Sequence, residues 1–281
     1  MQEDKLAIMR ELVDKLNQAS DTYYNGKTEI MSDHEWDSIF DKLKRIEEET
    51  GITLPDSPTI NVSADSIVGE KEEHEFPALS LAKTKSVADL AKWAEGKPIW
   101  LSWKLDGLTL VVTYDNGKLS KVVTRGDGHI GTNITHLAAA IEGILPRIKN
   151  TGHIVIRGEA IISYSDFNIF NMEMGEEYAN PRNLASGSLT LKNINEVKSR
   201  HIHWIPFTLV HTDEDIASWG NRMDFLEKLG FKTVEHQLIS HPTQENIGNV
   251  VQEWTEKLNS FDYPVDGLVI SFDDTIYAAS G

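Results

Sequence analysis

The sequence predicts an α+β protein, in which a small helical region is followed by antiparallel sheets with flanking helices. Apolar residues recur at helical spacing through the first sixty positions. From Trp100 onward, runs rich in Leu, Val and Thr are typical of strands. Asn116-Gly117, between two such runs, is the dipeptide that a tight antiparallel hairpin favours. Antiparallel strands with interspersed helices favour α+β over a doubly wound sheet.

Composition excludes several functions. The chain has 281 residues, 27 Lys plus Arg against 44 Asp plus Glu, a net charge of −17 and no cysteine. The absence of cysteine excludes disulfides, a thiol nucleophile and zinc bound by thiolates. The acidic balance argues against a protein that coats nucleic acid, but it leaves room for a local basic pocket. Because no apolar run could span a bilayer or serve as a signal peptide, we expect a cytoplasmic protein without membrane contact.

Two helices are expected at the N-terminus. Ser32 and Glu35 form a capping-box pattern that predicts a second helix from about Asp33 to Glu49, ended by Gly51. Residues 56–59 read as a turn and residues 60–75 as a polar linker. The first helix is predicted by apolar residues three and four positions apart: Leu6, Met9, Leu12, Val13 and Leu16.

The rest of the chain is predicted to alternate strands and short helices. The helices are expected over residues 86–94 and 223–229, the second ending at Gly230. The strands are expected over residues 100–114, 118–124, 153–162, 201–210 and 265–272.

Lys104-Leu-Asp-Gly107 is the first candidate for chemistry. Alternation along a strand places Ser102, Lys104 and Asp106 on one face. A lysine within a strand needs a partner or loses its charge, and a desolvated amine is a nucleophile. Gly107 would let the backbone bend or a ligand approach. The alternative is an ordinary Lys–Asp pair on an exposed sheet face.

A glycine-rich turn follows the predicted hairpin. Gly126, Gly128 and Gly131 fit G-x-G-x-x-G. A dinucleotide fingerprint would require a preceding parallel strand, a following helix and a later acidic residue. Here the preceding strand is the return arm of a hairpin, so we interpret the segment as a turn that presents Arg125 and Asp127.

Five charged residues form one candidate site. They combine cations and carboxylates in a way that suits a phosphate and a metal ion. They are Lys104, Arg125, Glu159, Arg182 and Asp266.

These motifs, in this order, resemble the N-terminal part of bacterial NAD⁺-dependent DNA ligases. The resemblance implies a helical subdomain over residues 1–65 that binds the nicotinamide mononucleotide (NMN) half of NAD⁺. It implies an adenylation (nucleotidyltransferase) domain over residues 66–281. Ser80 and Leu81 are also similar to the family's nucleotide-binding residues. The NMN-binding candidates implied by the resemblance are Tyr23, Tyr24, Asp33, Trp36 and Asp37.

The resemblance also implies an activity. Lys104 would attack NAD⁺ to form a covalent Lys–AMP intermediate, with Asp106 in the same catalytic motif. Mg²⁺ would assist, with Glu159 as its nearest candidate residue, and zinc would not be bound. The AMP would then pass to the 5′-phosphate of nicked double-stranded DNA through modules absent from this chain, which we expect to be a monomer. The other implied nucleotide contacts are Ser102, Arg125, Glu159, Arg182, Asp266 and the adenine-stacking Phe207.

Three positions depart from the family pattern. Ser102 stands where the family has Glu, Thr190 where it has Arg, and Ser271 where it has Lys. The chain also ends at Gly281, before the family's last catalytic lysine, so we expect a truncated form with little nick sealing of its own. These departures leave two alternatives open: a non-catalytic or weakened nucleotide-binding module, and an ATP-dependent ligase or capping-type enzyme.

Overall fold

The N-terminal region forms a pair of helices with its own small core. The computed structural model describes residues 2–24, 31–59, 67, 69–76, 86–175 and 178–280. Helix α1 spans Gln2–Tyr24 and α2 spans Asp33–Thr50. The predicted cap is confirmed, because the Ser32 hydroxyl accepts the Glu35 N–H and Gly51 takes a φ of 67°. The buried residues of this pair are Met9, Leu12, Val13, Leu16 and Leu43.

The remaining elements follow in an α+β arrangement, as predicted. The strands are β1 Lys71–Glu73, β2 Ile99–Leu105, β3 Leu108–Asp115, β4 Lys118–Thr124, β5 Ile130–Thr132, β6 His153–Ile161, β7 His203–His211, β8 His236–Ile239 and β9 Val265–Phe272. The helices are α3 Val87–Ala94, α4 Tyr164–Met174, α5 Pro181–Ser188, α6 Ile194–Lys198, α7 Trp219–Lys228, α8 Gln244–Lys257 and α9 Thr275–Ser280, with 3-10 turns at Thr135–Ala140 and Leu258–Ser260.

Two antiparallel sheets carry most of the fold in the described residues. The smaller sheet has the strand order β8-β2-β9, and the larger has the order β4-β3-β6-β7. Strands β1 and β5 pair separately. Leu101 and Leu105 of the smaller sheet share one buried cluster with Leu110 and Val112 of the larger sheet. This common core holds the two sheets together and fixes the positions of their charged residues.

The single strand expected over residues 100–114 is wrong. The chain leaves the smaller sheet after Leu105 and enters the larger sheet at Leu108. The reason is a close approach at Gly107, where an added Cβ would lie 2.1 Å from the Ala160 carbonyl oxygen. Asp106 therefore lies beyond the end of β2, and strand alternation does not determine where its side chain points.

Other boundaries differ in smaller ways. The expected linker over residues 60–75 contains β1, which pairs with β5. Strand β7 starts at His203, because His201 has a φ of 56° that is incompatible with a strand. Helix α7 begins at Trp219, capped by Ser218, and so precedes the expected start at residue 223. In the described part of the chain, no helix has the length and apolar content that a membrane crossing requires.

Candidate active site

Lys104 lies where the pairing of β2 with β9 becomes irregular. Trp103 pairs with Leu268 and Leu105 with Val265, so Asp266 and Gly267 together oppose Lys104. Regular alternation would place Asp266 on the Trp103 face, but this β-bulge lets its carboxylate reach Lys104. The Lys104 Nζ atom lies 3.3 Å from Asp266 Oδ2, and the two side chains are 40% and 42% exposed. The partner that the lysine was expected to need is therefore the Asp266 carboxylate, in a position open to a ligand.

Asp106 links the lysine motif to helix α5. The Arg182 guanidinium donates to Asp106 Oδ1 at 3.4 Å, with the arginine 6% exposed and the aspartate 27% exposed. Asn180 caps α5 through its side chain, and Pro181 follows at the first helical position. The capped N-terminal end of α5 thus holds Arg182 in place. Its guanidinium charge lies beside Asp106, in the short connection between β2 and β3 that we call the lysine loop.

Glu159 is the buried carboxyl of the site. Its two oxygens accept hydrogen bonds from the Thr109 hydroxyl at 2.7 Å and the Gly107 N–H at 3.2 Å. Burial raises the pKa of Glu159 to about 7, and the nearby charge of Asp106 adds to the rise. The two hydrogen bonds and Arg125 act in the opposite direction, because they favour the ionised carboxylate. This carboxyl can therefore change its charge near neutral pH.

Arg125 and Arg157 belong to the same face of the larger sheet as Glu159. The Arg125 N–H donates to the Thr109 carbonyl at 3.0 Å, which places Arg125 beside the Thr109–Glu159 pair. Arg157 lies two residues before Glu159 on β6 and therefore on the same face. Burial, and then the charge of Arg125, lower the pKa of Arg157.

The glycine-rich segment is a turn, as predicted, and lacks the context of a dinucleotide fingerprint. Strand β4 precedes it as the return arm of a hairpin, and strand β5 follows it rather than a helix. The Asp127 carboxylate accepts the N–H groups of His129 and Ile130 at 2.8 and 2.7 Å. Asp127 therefore shapes the turn, while Arg125 faces the site.

The N-terminal candidates are only partly described. Trp36 stacks on Phe40 with ring centroids 5.0 Å apart, and its indole N–H donates to the Leu16 carbonyl at 3.4 Å. Asp37 is half-buried on α2. The other candidates lie outside the described residues, in full or in their side chains: Tyr23, Tyr24, Asp33, Ser80 and Leu81.

The positions that depart from the family pattern carry no charge into the site. Ser102 is 4% exposed and pairs with Val269 across the sheet. Ser271 pairs with Trp100, so it lies on the same face as Ser102 and Lys104. The Thr190 hydroxyl donates to the Gly187 carbonyl at 2.6 Å. Phe207 lies at an irregularity in β7 opposite Arg157 and Gly158, half-buried against the core.

The described residues offer carboxylates for a metal ion in pairs rather than in a larger cluster. Among the residues that the structure describes, no group of three or more His, Asp or Glu side chains could hold an ion by itself. Asp106 and Glu159 are nevertheless close enough for the charge of one to raise the pKa of the other. Two carboxylates of this kind fit Mg²⁺, which proteins commonly bind through one or two carboxylates together with phosphate oxygens.

Sequence reasoning missed Thr109 and the contact between Gly107 and Glu159. Both depend on the register in which Thr109 stands opposite Glu159. The period-two pattern assigns side chains to faces, but it does not contain the register between distant strands. Glu159 itself was selected from the sequence as one of the five charged site residues.

Comparison with protein families gives two matches that cover most of the chain. Residues 69–279 match the NAD-dependent DNA ligase adenylation domain. Residues 2–63 match the DNA ligase-like, N-terminal NAD⁺-binding domain.

Curated relatives share the name DNA ligase. One from Ruminiclostridium cellulolyticum is 41% identical over 99% of this chain and 43% of its own length. One from Lachnoclostridium phytofermentans is 40% identical over 96% of this chain and 42% of its own length. The chain thus spans less than half the length of these relatives. Among solved structures, mycobacterial DNA ligase D aligns with 70% of this chain and 55% of its own chain, at 16% identity and a TM-score of 0.41, which is too low to support an argument.

Proposed function

The chain belongs to the adenylation-domain family of NAD-dependent DNA ligases, and we propose that Lys104 is the residue that takes up AMP from NAD⁺. The observation that carries the proposal is the position of Lys104 Nζ, 3.3 Å from Asp266 and 40% exposed. An amine that is held in place yet accessible can meet a phosphorus atom in line with its leaving group.

The proposed reaction balances as a single displacement. The Lys104 nitrogen forms a bond to the α-phosphorus of the AMP half, and the bond from that phosphorus to the oxygen of NMN breaks. NMN leaves with the electron pair, and a Lys–AMP phosphoramide remains. The amine must lose a proton before it can react. We assign the role of proton acceptor to the Asp266 carboxylate, which lies 3.3 Å from the Lys104 nitrogen.

The cations around the lysine loop would stabilise the negative charge that builds up on the phosphoryl oxygens. Arg182 is 6% exposed and fixed by Asp106, so it needs little reorganisation to donate to a phosphoryl oxygen. Arg125 stands on the Glu159 side of the same loop. Asp106 and Glu159 would hold Mg²⁺, which supplies positive charge to the phosphoryl oxygens when it is bound.

The N-terminal helices would supply the preference for NAD⁺. We propose that residues 1–65 form the NMN-binding subdomain and residues 66–281 the adenylation domain. The separate cores of the two parts support this division. Asp37 and Trp36 would contact NMN from α2, together with Tyr23, Tyr24 and Asp33, while Ser80, Leu81, Ser102 and Phe207 would contact the adenosine half. In the complete ligase, a cytoplasmic enzyme on this proposal, the AMP would pass to the 5′-phosphate of nicked DNA.

A second candidate, a nucleotide-binding module without transfer activity, is favoured by one observation. Ser102 and Ser271 share the face of Lys104, and neither brings a charge to it. Removing one preorganised group from a site commonly costs about 10²–10³ in rate. Binding of NAD⁺ without covalent transfer would then be the outcome.

Intact mass spectrometry separates these candidates. The protein is incubated with NAD⁺ and Mg²⁺, and separately with ATP and Mg²⁺. A gain of one AMP from NAD⁺, none from ATP, and peptide mapping to Lys104 are expected. Lys104→Arg should give no adduct, because its guanidinium keeps its proton, whereas Lys92→Arg on exposed α3 should behave like the wild type. Binding of NAD⁺ with no mass change would favour the second candidate.

A further inference from the structure

The glycine-rich turn that presents Arg125 is bonded to a segment from an earlier part of the chain. This segment, residues 71–76, consists of β1 and the three residues that follow it. Strand β1 pairs with β5, the strand that begins where the turn ends. We call residues 71–76 the clasp, and its central residue for the turn is His74.

The clasp is fixed to the larger sheet on both sides of His74. Before it, the Glu72 carboxylate accepts from Lys121 Nζ on β4 at 3.0 Å. After it, Glu75 Oε2 lies 2.8 Å from His153 Nε2 on β6. These anchors place His74 without any help from the turn. The clasp ends in an apolar contact, in which Phe76 packs with Val111, Val155 and Val210.

His74 bonds to both ends of the turn. Its backbone N–H donates to the His129 carbonyl, and its ring Nε2 lies 2.8 Å from the Arg125 carbonyl oxygen. Because a carbonyl oxygen only accepts hydrogen bonds, Nε2 must carry the hydrogen and donate it. His74 is 9% exposed, so little water can compete for this bond.

Arg125 is thereby held through both of its backbone groups. Its N–H donates to the Thr109 carbonyl at 3.0 Å, and its carbonyl accepts from the Gly128 N–H at 3.1 Å as well as from His74. Gly126 and Gly128 take φ values of 60° and 96°, and glycine has more backbone freedom than any other residue. Because such a turn is intrinsically adaptable, the bond from the anchored His74 restricts where Arg125 can lie.

We propose that His74 is a positioning residue for Arg125, one of the cations that the proposed function places around the phosphoryl oxygens. The inference rests on that function and adds a residue to it. His74 bonds to the backbone of Arg125 and not to the reacting atoms, so its effect on the reaction passes through the arginine. Preorganised charges act only from the correct position, and a misplacement of about 1 Å can lower a rate about 10²-fold.

The experiment removes the ring donor and leaves the other bonds of the turn in place. His74→Phe keeps a buried aromatic ring, and the Arg125 carbonyl still accepts from Gly128. We expect Lys–AMP formation from NAD⁺, followed by timed intact mass spectra, to slow about 10- to 100-fold. His74→Gln offers an amide N–H in place of the ring N–H and should restore the rate to within about 5-fold of the wild type. His241→Phe, at an exposed position after β8, is the matched control and should show the wild-type rate.

A double-mutant cycle separates positioning from a general loss of structure. If His74 acts through the Arg125 side chain, His74→Phe should cost less than about 2-fold once Arg125→Ala has removed that side chain. A merely structural role would give the same loss in both backgrounds. Long single-turnover reactions keep the slower Arg125→Ala background measurable.

Hydrogen–deuterium exchange gives a second readout that requires no activity. We expect the amides of residues 125–131 to exchange faster in His74→Phe than in the wild type, because the turn opens more often. Exchange over α8 should be unchanged, since the loss is local. Thermal unfolding checks the fold, and His74→Gln compared with the wild type carries the test if the phenylalanine variant does not fold.

Three results would overturn the inference. They are a wild-type rate in His74→Phe, an equal loss in both arginine backgrounds, and unchanged exchange over residues 125–131. Failure of the proposed function gives a different pattern, namely no adduct on Lys104 in the wild type. The exchange measurement still decides in that case whether His74 holds the turn, so the two failures are distinguishable.

Discussion

The buried Glu159 carboxyl predicts a specific pH dependence of stability. Its pKa of about 7 in the folded protein compares with 4.5 for an ordinary Glu, and burial is the main cause. Between these values the folded state binds more protons than the unfolded state, so the free energy of unfolding falls as pH rises. The pKa of Glu159 in the folded protein is about 2.5 above the ordinary value. At about 1.36 kcal/mol for each step of one in pKa, the free energy of unfolding falls by about 3 kcal/mol up to pH 8.

Glu159→Gln should remove this dependence. A glutamine can accept the Gly107 N–H through its carbonyl and donate to the Thr109 hydroxyl, which itself can act as an acceptor. The variant therefore imitates the protonated carboxyl at every pH. We expect it to unfold with nearly the wild-type free energy at pH 5 and to be more stable by about 2–3 kcal/mol at pH 8.

Urea unfolding of the wild type and of Glu159→Gln, at steps of half a pH unit from pH 5 to pH 8, measures the difference between their free energies of unfolding. His153 also contributes to the wild-type slope, because its bonds to Asp115 and Glu75 raise its pKa. Subtracting the variant curve from the wild-type curve isolates Glu159. Glu253→Gln, on the exposed side of α8, is the matched control and should run parallel to the wild type. Parallel curves for Glu159→Gln as well would refute the reasoning.

Two further predictions concern the backbone and the missing charges. Gly107→Ala should lower the rate of adduct formation at least about 100-fold and destabilise the protein by about 1–3 kcal/mol, because its Cβ would overlap the Ala160 carbonyl oxygen. Gly248→Ala in α8 should be neutral or stabilising in the same melts, because its Cβ would meet only Val87 Cγ1, at an ordinary contact distance of 4.0 Å. Ser271→Lys should raise the rate of Lys–AMP formation by up to about 10²-fold, because it returns a cation to the face of Lys104. Adding Ser102→Glu on the same face should raise the rate further. Timed mass spectra in which the double variant is no faster than the wild type would contradict this.

The elements that sequence predicted correctly are those set by local chemistry. Ser32 and Gly51 bound α2 through hydrogen bonds and a φ that involve only neighbouring residues. Asn116-Gly117 forms its hairpin because both residues take positive φ. Gly107 was expected to allow a bend, but the change of sheet there was not predicted, because its cause is a contact with Ala160 from a strand about fifty residues away. The glycine permits the bend, but the local pattern does not identify the distant partner that requires it.

The same reasoning explains why sequence named most of the site but not its geometry. Lys104 and Asp266 were selected by residue type and motif, yet regular alternation would put Asp266 on the Trp103 face, away from the lysine. The extra residue at Asp266-Gly267 rotates that carboxylate across the sheet, and Gly267 tolerates the required φ of 141°. On the other side of the lysine loop, Gly107 brings its N–H to Glu159. The proposed nucleophile therefore lies between two departures from regular strand pairing. Because each departure depends on a partner distant in sequence, the geometry of the site follows from the fold rather than from the motif.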